Sequence, residues 1–329
     1  MKAIIYTNYG TPDVLRIAEV NKPNPKNNEV LVKVFASSLN SWDWDMLKGK
    51  PFLVRMFGGL FKPKQKILGA DIAGIVESIG NEVKNFKPGD EVMGDIAGAG
   101  FGGFAEYAVA PEKLLCKKPK QLSFEQAASL PQAGLLAIQG LRYQKQIKEG
   151  NNVLINGAGG GVGPIALQYA KSLGAVVTCV DKEEKFEMLR SLGADACWDY
   201  RRTDYTKSGK KYDYILDVIA HKRVNDYKRV LQPDGVFAMI GGSIGGLLFQ
   251  MMLVQPFFSK YRKQKLGIMG YRVSTSALEE LAMLAAEKNI LPVIDSVFPF
   301  EETVNAFRHF QKGDFKGKIV IRTNDKTLN

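Results

Sequence analysis

The stretch from Asn152 to Asp181, NVLINGAGGGVGPIALQYAKSLGAVVTCVD, restricts what this chain can fold into more than any other. Val153-Leu154-Ile155 is a short, β-branched apolar run that suits a strand buried on both faces, and a glycine cluster follows at once. From Val162 the apolar residues Val162, Ile165, Ala166, Tyr169, Ala170 and Leu173 recur at helical spacing. Pro164 is tolerated in a first turn, and Gly174 is placed to stop the helix. A second β-branched run, Val176 to Val180, then ends at Asp181. The sum is a β-strand, a helix and a parallel β-strand.

Glycines between the first strand and the helix have a chemical reason. A dinucleotide pyrophosphate needs unblocked backbone N–H groups at a helix N-terminus, and a Cβ there holds the phosphates away. Gly157, Gly160 and Gly163 are expected to supply the turn, the close approach and the tight helix-strand packing, although the six-residue frame ending at Gly163 begins with Ala158. The loop Ala158, Gly159, Gly160, Gly161, Val162 and Gly163 is the expected phosphate cradle. A glycine loop alone says little; flanked by this strand, this helix and the acid at Asp181, it predicts dinucleotide binding.

A chain of 329 residues suits two domains. Residues 1–122 read as short β segments punctuated by turns, an all-β module of the partly open barrel kind, with strands at Lys2 to Thr7, Glu29 to Phe35, Asp71 to Ile79, Asp90 to Met93 and Glu106 to Val109. Ser123-Phe124-Glu125-Gln126 opens a helix with an N-cap and a Gln three residues on, which marks entry to a second domain spanning 123–289. There strands and helices alternate through Tyr212 to Val218, Lys222 to Leu231, Gly235 to Ile240, Leu266 to Met269 and Ala277 to Lys288. The expected fold class is α/β, a six-stranded doubly wound parallel sheet of Rossmann type beside the barrel module, with ligand beyond the strand C-termini. Residues 290–329 turn β-like at Lys318 to Ile321 and are expected to rejoin the first module.

No run of about 18 apolar residues is present, so no transmembrane segment is expected. The N-terminus has no signal-peptide character, and Cys116, Cys179 and Cys197 form no metal-spaced pair; both point to a reducing, cytoplasmic location. The net charge of +11 is spread along the chain without a nucleic-acid-reading motif, so no specific nucleic-acid partner is expected. One basic run, Ser259 to Lys265, follows the apolar stretch Ile244 to Phe258; it is read as a mobile charged loop or as a membrane-surface contact. Met251, Met252, Leu247, Leu248, Phe249, Phe257 and Phe258 suit a hydrophobic substrate or a subunit interface.

Taken together, these residues resemble the medium-chain dehydrogenase/reductase superfamily, whose catalytic domain is GroES-like. The phrase from Gly69 to Gly80, continuing to Phe86 and Lys87-Pro88-Gly89-Asp90-Glu91-Val92, is similar to that family's catalytic-domain signature; Gly102 to Tyr107 and Leu130 to Gly134 follow in the same order. Zinc alcohol dehydrogenases of the superfamily hold a catalytic metal with a Cys, a Gly-His-Glu and a second Cys. Here those places carry Asn40, Ala70 and Ala133, and the four-cysteine lobe is absent, so the resemblance implies no metal ligands and no zinc. What remains resembles the zinc-independent quinone oxidoreductase and enone reductase branch, in which a conjugated acceptor takes hydride without a Lewis acid. The function implied is NAD(P)H-dependent reduction of a quinone or α,β-unsaturated carbonyl. The rival is a non-catalytic nucleotide-binding protein peripheral to a membrane or RNA.

Asp181 stands where an acid bonds the ribose hydroxyls of NAD and repels the extra phosphate of NADP. Against it, Lys182 and Lys185 lie in the same loop, and the resemblance puts Lys185 and Tyr200 at the adenosine phosphate; NADP(H) is the expected cofactor and NAD(H) the alternative. Lysines in such a loop also read as solvated surface. Gly241, Gly242 and Ser243 end the fifth strand, where small residues let the nicotinamide approach or simply make a turn. Asn40, in place of a metal ligand, is expected to position the substrate carbonyl, or else to cap a helix. Asp43 and Asp45, beside Trp42 and Trp44, line a pocket or belong to the core, and Asp45 replaces the branch's tyrosine. His221 and Tyr271 are weaker contacts, and a homodimer is expected.

Overall fold

The computed structural model describes residues 1–242, 264–287 and 290–323, which fall into two compact units. The first comprises Met1–Gln132, Val273–Lys288 and Pro292–Asn329; the second comprises Ala133–Arg272 and Asn289–Leu291.

In the first unit, β1 (Lys2–Ile5) and β2 (Arg16–Glu19) form an antiparallel ribbon. The spine is the 11-residue β3 (Glu29–Leu39), longer than the alternation of its sequence predicts because its end is buried on both faces. One edge of β3 pairs along nearly its whole length with β4 (Asp71–Ile79). Its other edge is shared between β6 (Tyr107–Pro111) at the start and β15 (Lys318–Arg322) at the end. β5 (Glu91–Asp95), β7 (Leu115–Lys117) and β14 (Ile294–Pro299) complete the sheet, in the order β14-β15-β3-β4-β5-β7. Register shifts at Leu31/Val32 and Val34/Ala36 bend β3, which curls the sheet into the partly open barrel expected. The expected return of the C-terminal strand is seen in β15.

Two short helices interrupt this module, α1 (Ser41–Lys48), stopped by Gly49 in the left-handed conformation, and α2 (Phe52–Gly58). α3 (Phe124–Ala128) carries the predicted capping box, with Gln126 N–H donating to Ser123 Oγ at 3.2 Å and Ser123 N–H to Gln126 Oε1 at 3.0 Å. It packs on β3 and β4, so the first unit runs past the expected limit at 122.

The second unit begins within α4 (Pro131–Leu141). Its sheet is parallel throughout: β8 (Asn152–Asn156), β9 (Val176–Asp181), β10 (Ala196–Asp199), β11 (Tyr212–Asp217), β12 (Leu231–Met239) and β13 (Lys265–Ile268), ordered β10-β9-β8-β11-β12-β13. That is the doubly wound order with its reversal between β8 and β11. β10, whose first three residues are only half-buried, carries too little apolar signal to be read in advance. α5 (Gly163–Ser172), α6 (Phe186–Ser191) and α7 (Val224–Val230) supply the crossovers among the described residues. Tyr205, Tyr212, Tyr227, Phe237 and Leu266 join Leu154 and Val180 in the core.

Two helices in the tail belong to the first unit. α8 (Thr275–Ala286) was expected to close the nucleotide fold, but it packs on β7, with Leu278, Leu281, Ala282 and Ala285 buried. α9 (Thr303–Lys312) buries Ala306 and Phe307 under Phe104, Ile319 and Ile321. Periodicity shows which face of a helix is buried, not which sheet receives it. Cys179 and Cys197 are direct neighbours across β9 and β10, and burial pushes both thiols up.

Candidate functional site

The glycine loop leaves β8 at Asn156 and reaches α5 at Gly163. Gly157 has φ +78, the left-handed turn that favours glycine. A Cβ on Gly163 would lie 2.2 Å from the Ala158 carbonyl oxygen, so helix and loop meet as tightly as expected. On Gly160 a Cβ would find only the Gly157 oxygen, at 3.7 Å, so the chain itself leaves that space open. The N–H groups of Gly157 and Ala158 donate to Val180 O at 3.0 and 3.2 Å, and that of Gly160 to Gly157 O at 3.4 Å. Among the described residues no backbone hydrogen bond takes up the N–H of Gly161, Val162 or Gly163. Donors of this kind at a helix N-terminus, with the helix dipole behind them, suit a pyrophosphate, and the dinucleotide fits.

Asp181 closes the other side of the loop. Its Oδ2 accepts from Gly159 N–H at 2.7 Å and its Oδ1 from Lys182 N–H at 2.8 Å. Lys185 is buried beside it, 5 % exposed, with Nζ 3.5 Å from both Asp181 Oδ1 and Gly159 O. A Cβ on Gly159 would meet Lys185 Cδ at 2.4 Å, so this glycine makes room for the lysine stem. Lys185 is thus not ordinary solvated surface. Lys182 is half-buried, and Tyr200 is 43 % exposed in the turn after β10.

The neighbouring turn carries a pairing that spacing did not reveal. Arg201 donates through Nε to both Asp199 carboxylate oxygens at 3.0 Å and through NH1 and NH2 to Glu184 at 2.9 and 2.8 Å. Its guanidinium holds the Asp199 carboxyl well below the usual range. Asp199 is the register partner of Asp181, so two strand-end acids stand side by side, each matched by a cation. Asp217, at the end of β11, is fully buried and accepts from Asn156 Nδ2 at 2.7 Å, Tyr227 OH at 2.8 Å and Tyr205 OH at 3.3 Å. Burial raises its pKa despite these donors.

Gly241 and Gly242 serve close packing of backbone. A Cβ on Gly242, at φ +116, would stand 2.1 Å from Ala220 O, and one on Gly241 would stand 2.7 Å from Val218 O. Ser243 and the 244–263 segment lie outside the described residues. His221 is exposed, its Nδ1 3.1 Å from Ile219 O, and Tyr271 is half-buried. His309 pairs with Asp295 at 2.7 Å in the first unit.

Asn40 begins α1 in the first unit and is 7 % exposed. Its Nδ2 donates to Asp71 Oδ2 at 3.0 Å and to Ser38 O at 3.3 Å, while its Oδ1 accepts from Lys318 Nζ at 2.5 Å. Both amide hydrogens are committed, so gripping a substrate carbonyl requires breaking one of these bonds. Lys318 Nζ also lies 3.3 Å from Asp71 Oδ2. Asp71, fully buried, accepts further from Ser38 Oγ at 3.0 Å and Gln132 N–H at 2.9 Å. Of the three places where the zinc relatives carry ligands, Ala70 and Ala133 are buried methyl groups and Asn40 accepts from the Lys318 ammonium. Lys318 is 278 residues from Asn40, and no local signal foretells the pairing.

Asp43 takes Asn40 N–H at 2.9 Å and Gly69 N–H at 2.8 Å, and burial pushes it up to about 7. Asp45, half-buried, is pushed by desolvation up to about 6. The two tryptophans divide. Trp44 joins the core against Phe310, ring centroids 5.9 Å apart, whereas Trp42 is 45 % exposed and edge-on to Phe101.

Comparison with known proteins agrees with both halves of this description. Residues 26–120 match the alcohol dehydrogenase GroES-like domain, and residues 192–321 match a zinc-binding dehydrogenase domain. The chain is 34% identical to the chloroplast envelope quinone oxidoreductase homolog of Arabidopsis thaliana over 98% of each protein. It is 30% identical to the NADPH-dependent alkenal/one oxidoreductase of the same plant, over 98% of this chain and 79% of that one. The quinone oxidoreductase structure from Coxiella burnetii superposes with a TM-score of 0.85 at 30% identity, covering 98% of this chain and 99% of that one.

Proposed function

The chain belongs to the medium-chain dehydrogenase/reductase family, in its quinone oxidoreductase and enone reductase branch, and on that premise we propose that it reduces a quinone or α,β-unsaturated carbonyl with NADPH. The observation that carries the reading is the glycine loop, with N–H groups of Gly161, Val162 and Gly163 open at the head of α5 and Asp181 and Lys185 locked together beside it.

When bound, the reduced nicotinamide supplies the hydride. The chain's own part is to bind and orient. Backbone N–H groups of the loop hold the pyrophosphate, and Gly160 lets it approach. Asp181 is already engaged by two N–H groups and a lysine, which weakens its repulsion of a ribose phosphate; Lys185, Lys182 and Tyr200 are the residues assigned to that phosphate. Asn40 is assigned to the substrate side as a positioning residue, acting through the order it gives α1.

The same reading leaves out zinc. The place a metal would take in the first unit offers an amide oxygen already held by the Lys318 ammonium, beside a buried alanine, and a fixed cation repels another. A homodimer, built through an edge strand of the parallel sheet, and residence in the cytoplasm complete the proposal; the unbridged cysteines support a reducing compartment.

The test is oxidation of NADPH and NADH by purified protein with a panel of quinones, enals and enones, with metal content measured alongside. Turnover that survives chelation, with NADPH preferred, is the expected result. Tight cofactor binding without turnover would favour the non-catalytic reading, and stoichiometric zinc would overturn the metal-free one.

A further inference from the structure

Residues 46–70, between the middle of α1 and the start of β4, contain six basic side chains, Lys48, Lys50, Arg55, Lys62, Lys64 and Lys66, and no acid. The same stretch bares its apolar side chains: Phe52 is 64%, Leu53 54%, Met56 63%, Phe57 75%, Leu60 47% and Phe61 86% exposed. Single exposed apolar residues are ordinary, but six large ones within ten residues are not. The helix is fixed in this orientation. Val54 packs into the core on the inner side, Arg55 Nε donates to Gly49 O at 3.0 Å with its guanidinium 4.7 Å from the Tyr9 ring centre, and Tyr9 OH donates to Gly59 O at 2.5 Å.

We propose that this segment docks on the surface of a bilayer containing anionic lipid, with Phe52, Phe57 and Phe61 entering the headgroup boundary and Lys62, Lys64 and Lys66 meeting lipid phosphates. Apolar side chains interleaved with cations are what an anionic membrane surface accepts, and it needs no matching shape. A second copy is the poorer partner, because a two-fold interface would set this basic stretch against its own copy, and the stretch itself contains no acid. The inference rests on the reductase reading for its purpose: a docked enzyme meets lipophilic quinones where they partition.

The experiment uses the full chain with NADPH and vesicles of phosphatidylcholine, with or without phosphatidylglycerol, read by co-sedimentation. The wild type is expected to bind the mixed vesicles and to leave them as salt rises. Phe57→Ser with Phe61→Ser should weaken partitioning by about tenfold or more, and Lys62→Gln with Lys64→Gln by about tenfold at low salt. Both variants should keep NADPH affinity and turnover of a water-soluble quinone. Equal sedimentation of all three proteins, or no binding to mixed vesicles, overturns the proposal. So does a wild-type dimer that the serine variant splits, or loss of soluble-quinone turnover in that variant, since the patch then serves a second copy or the substrate itself. Turnover without vesicle binding sinks the docking alone; vesicle binding without turnover sinks the reductase reading and leaves the docking standing.

Discussion

The glycine loop of the nucleotide unit and the Asn40, Asp71 and Lys318 cluster of the β-rich unit both handle charge away from bulk water, and they do so in opposite ways. The loop leaves backbone donors without a backbone partner at a helix end, the arrangement that suits an anion. The cluster is finished: a buried carboxylate, an amide and an ammonium satisfy one another. An open site depends on the absence of side chains, hence on glycine. A closed one depends on a full set of partners, so each of its members matters to stability.

The comparison is broken most severely at Gly163. A valine there drives a side chain into the Ala158 backbone, so Gly163→Val should abolish cofactor binding in calorimetry and lower the yield of folded protein. Next in size is the closed cluster. Lys318→Met leaves the buried Asp71 side chain without its ammonium partner, a loss of about 3–5 kcal/mol. Thermal denaturation should show the loss, and adding Asp71→Asn should recover most of it. If the single and double variants melt alike, the two groups are not coupled.

A smaller effect sharpens the open site. Lys185→Ala should raise the dissociation constant for NADPH about tenfold, the worth of one charge-assisted bond, and change that for NADH much less. Equal losses for both cofactors would mean that Lys185 only props Asp181. A last effect, on stability against pH and not on either site, lies in Asp43. Its folded pKa of about 7 stands above the carboxylate value of 3.8, so the folded state holds a proton that the unfolded state has lost between those two pH values. Stability therefore falls as pH rises through that window, by at most about 1.4 kcal/mol per pH unit from this group. Asp43→Asn should remove that component of the pH dependence, seen as the difference between the two melting profiles.

The two sites were not equally legible. Gly157, Gly163 and Asp181 sit within 25 residues and act through local geometry, so strand, turn and helix signals in one stretch foretold them. Asn40 was singled out for where it stands, but its engagement with Lys318 crosses most of the chain. Likewise the periodicity of Thr275–Ala286 showed an apolar face, and only packing revealed that β7 receives it.

By itself, the sequence determined the parallel sheet, the glycine loop and the strand-rich first module, because glycine placement and apolar period act over a few neighbouring residues. Tertiary structure alone decided that Lys318 meets Asn40 and Asp71, that Arg201 bridges Asp199 and Glu184, and that α2 turns its phenylalanines outward. Those outcomes depend on which distant surfaces the folded backbone brings together, and charges and methyl groups far apart in the chain carry no mark of their partners until it does.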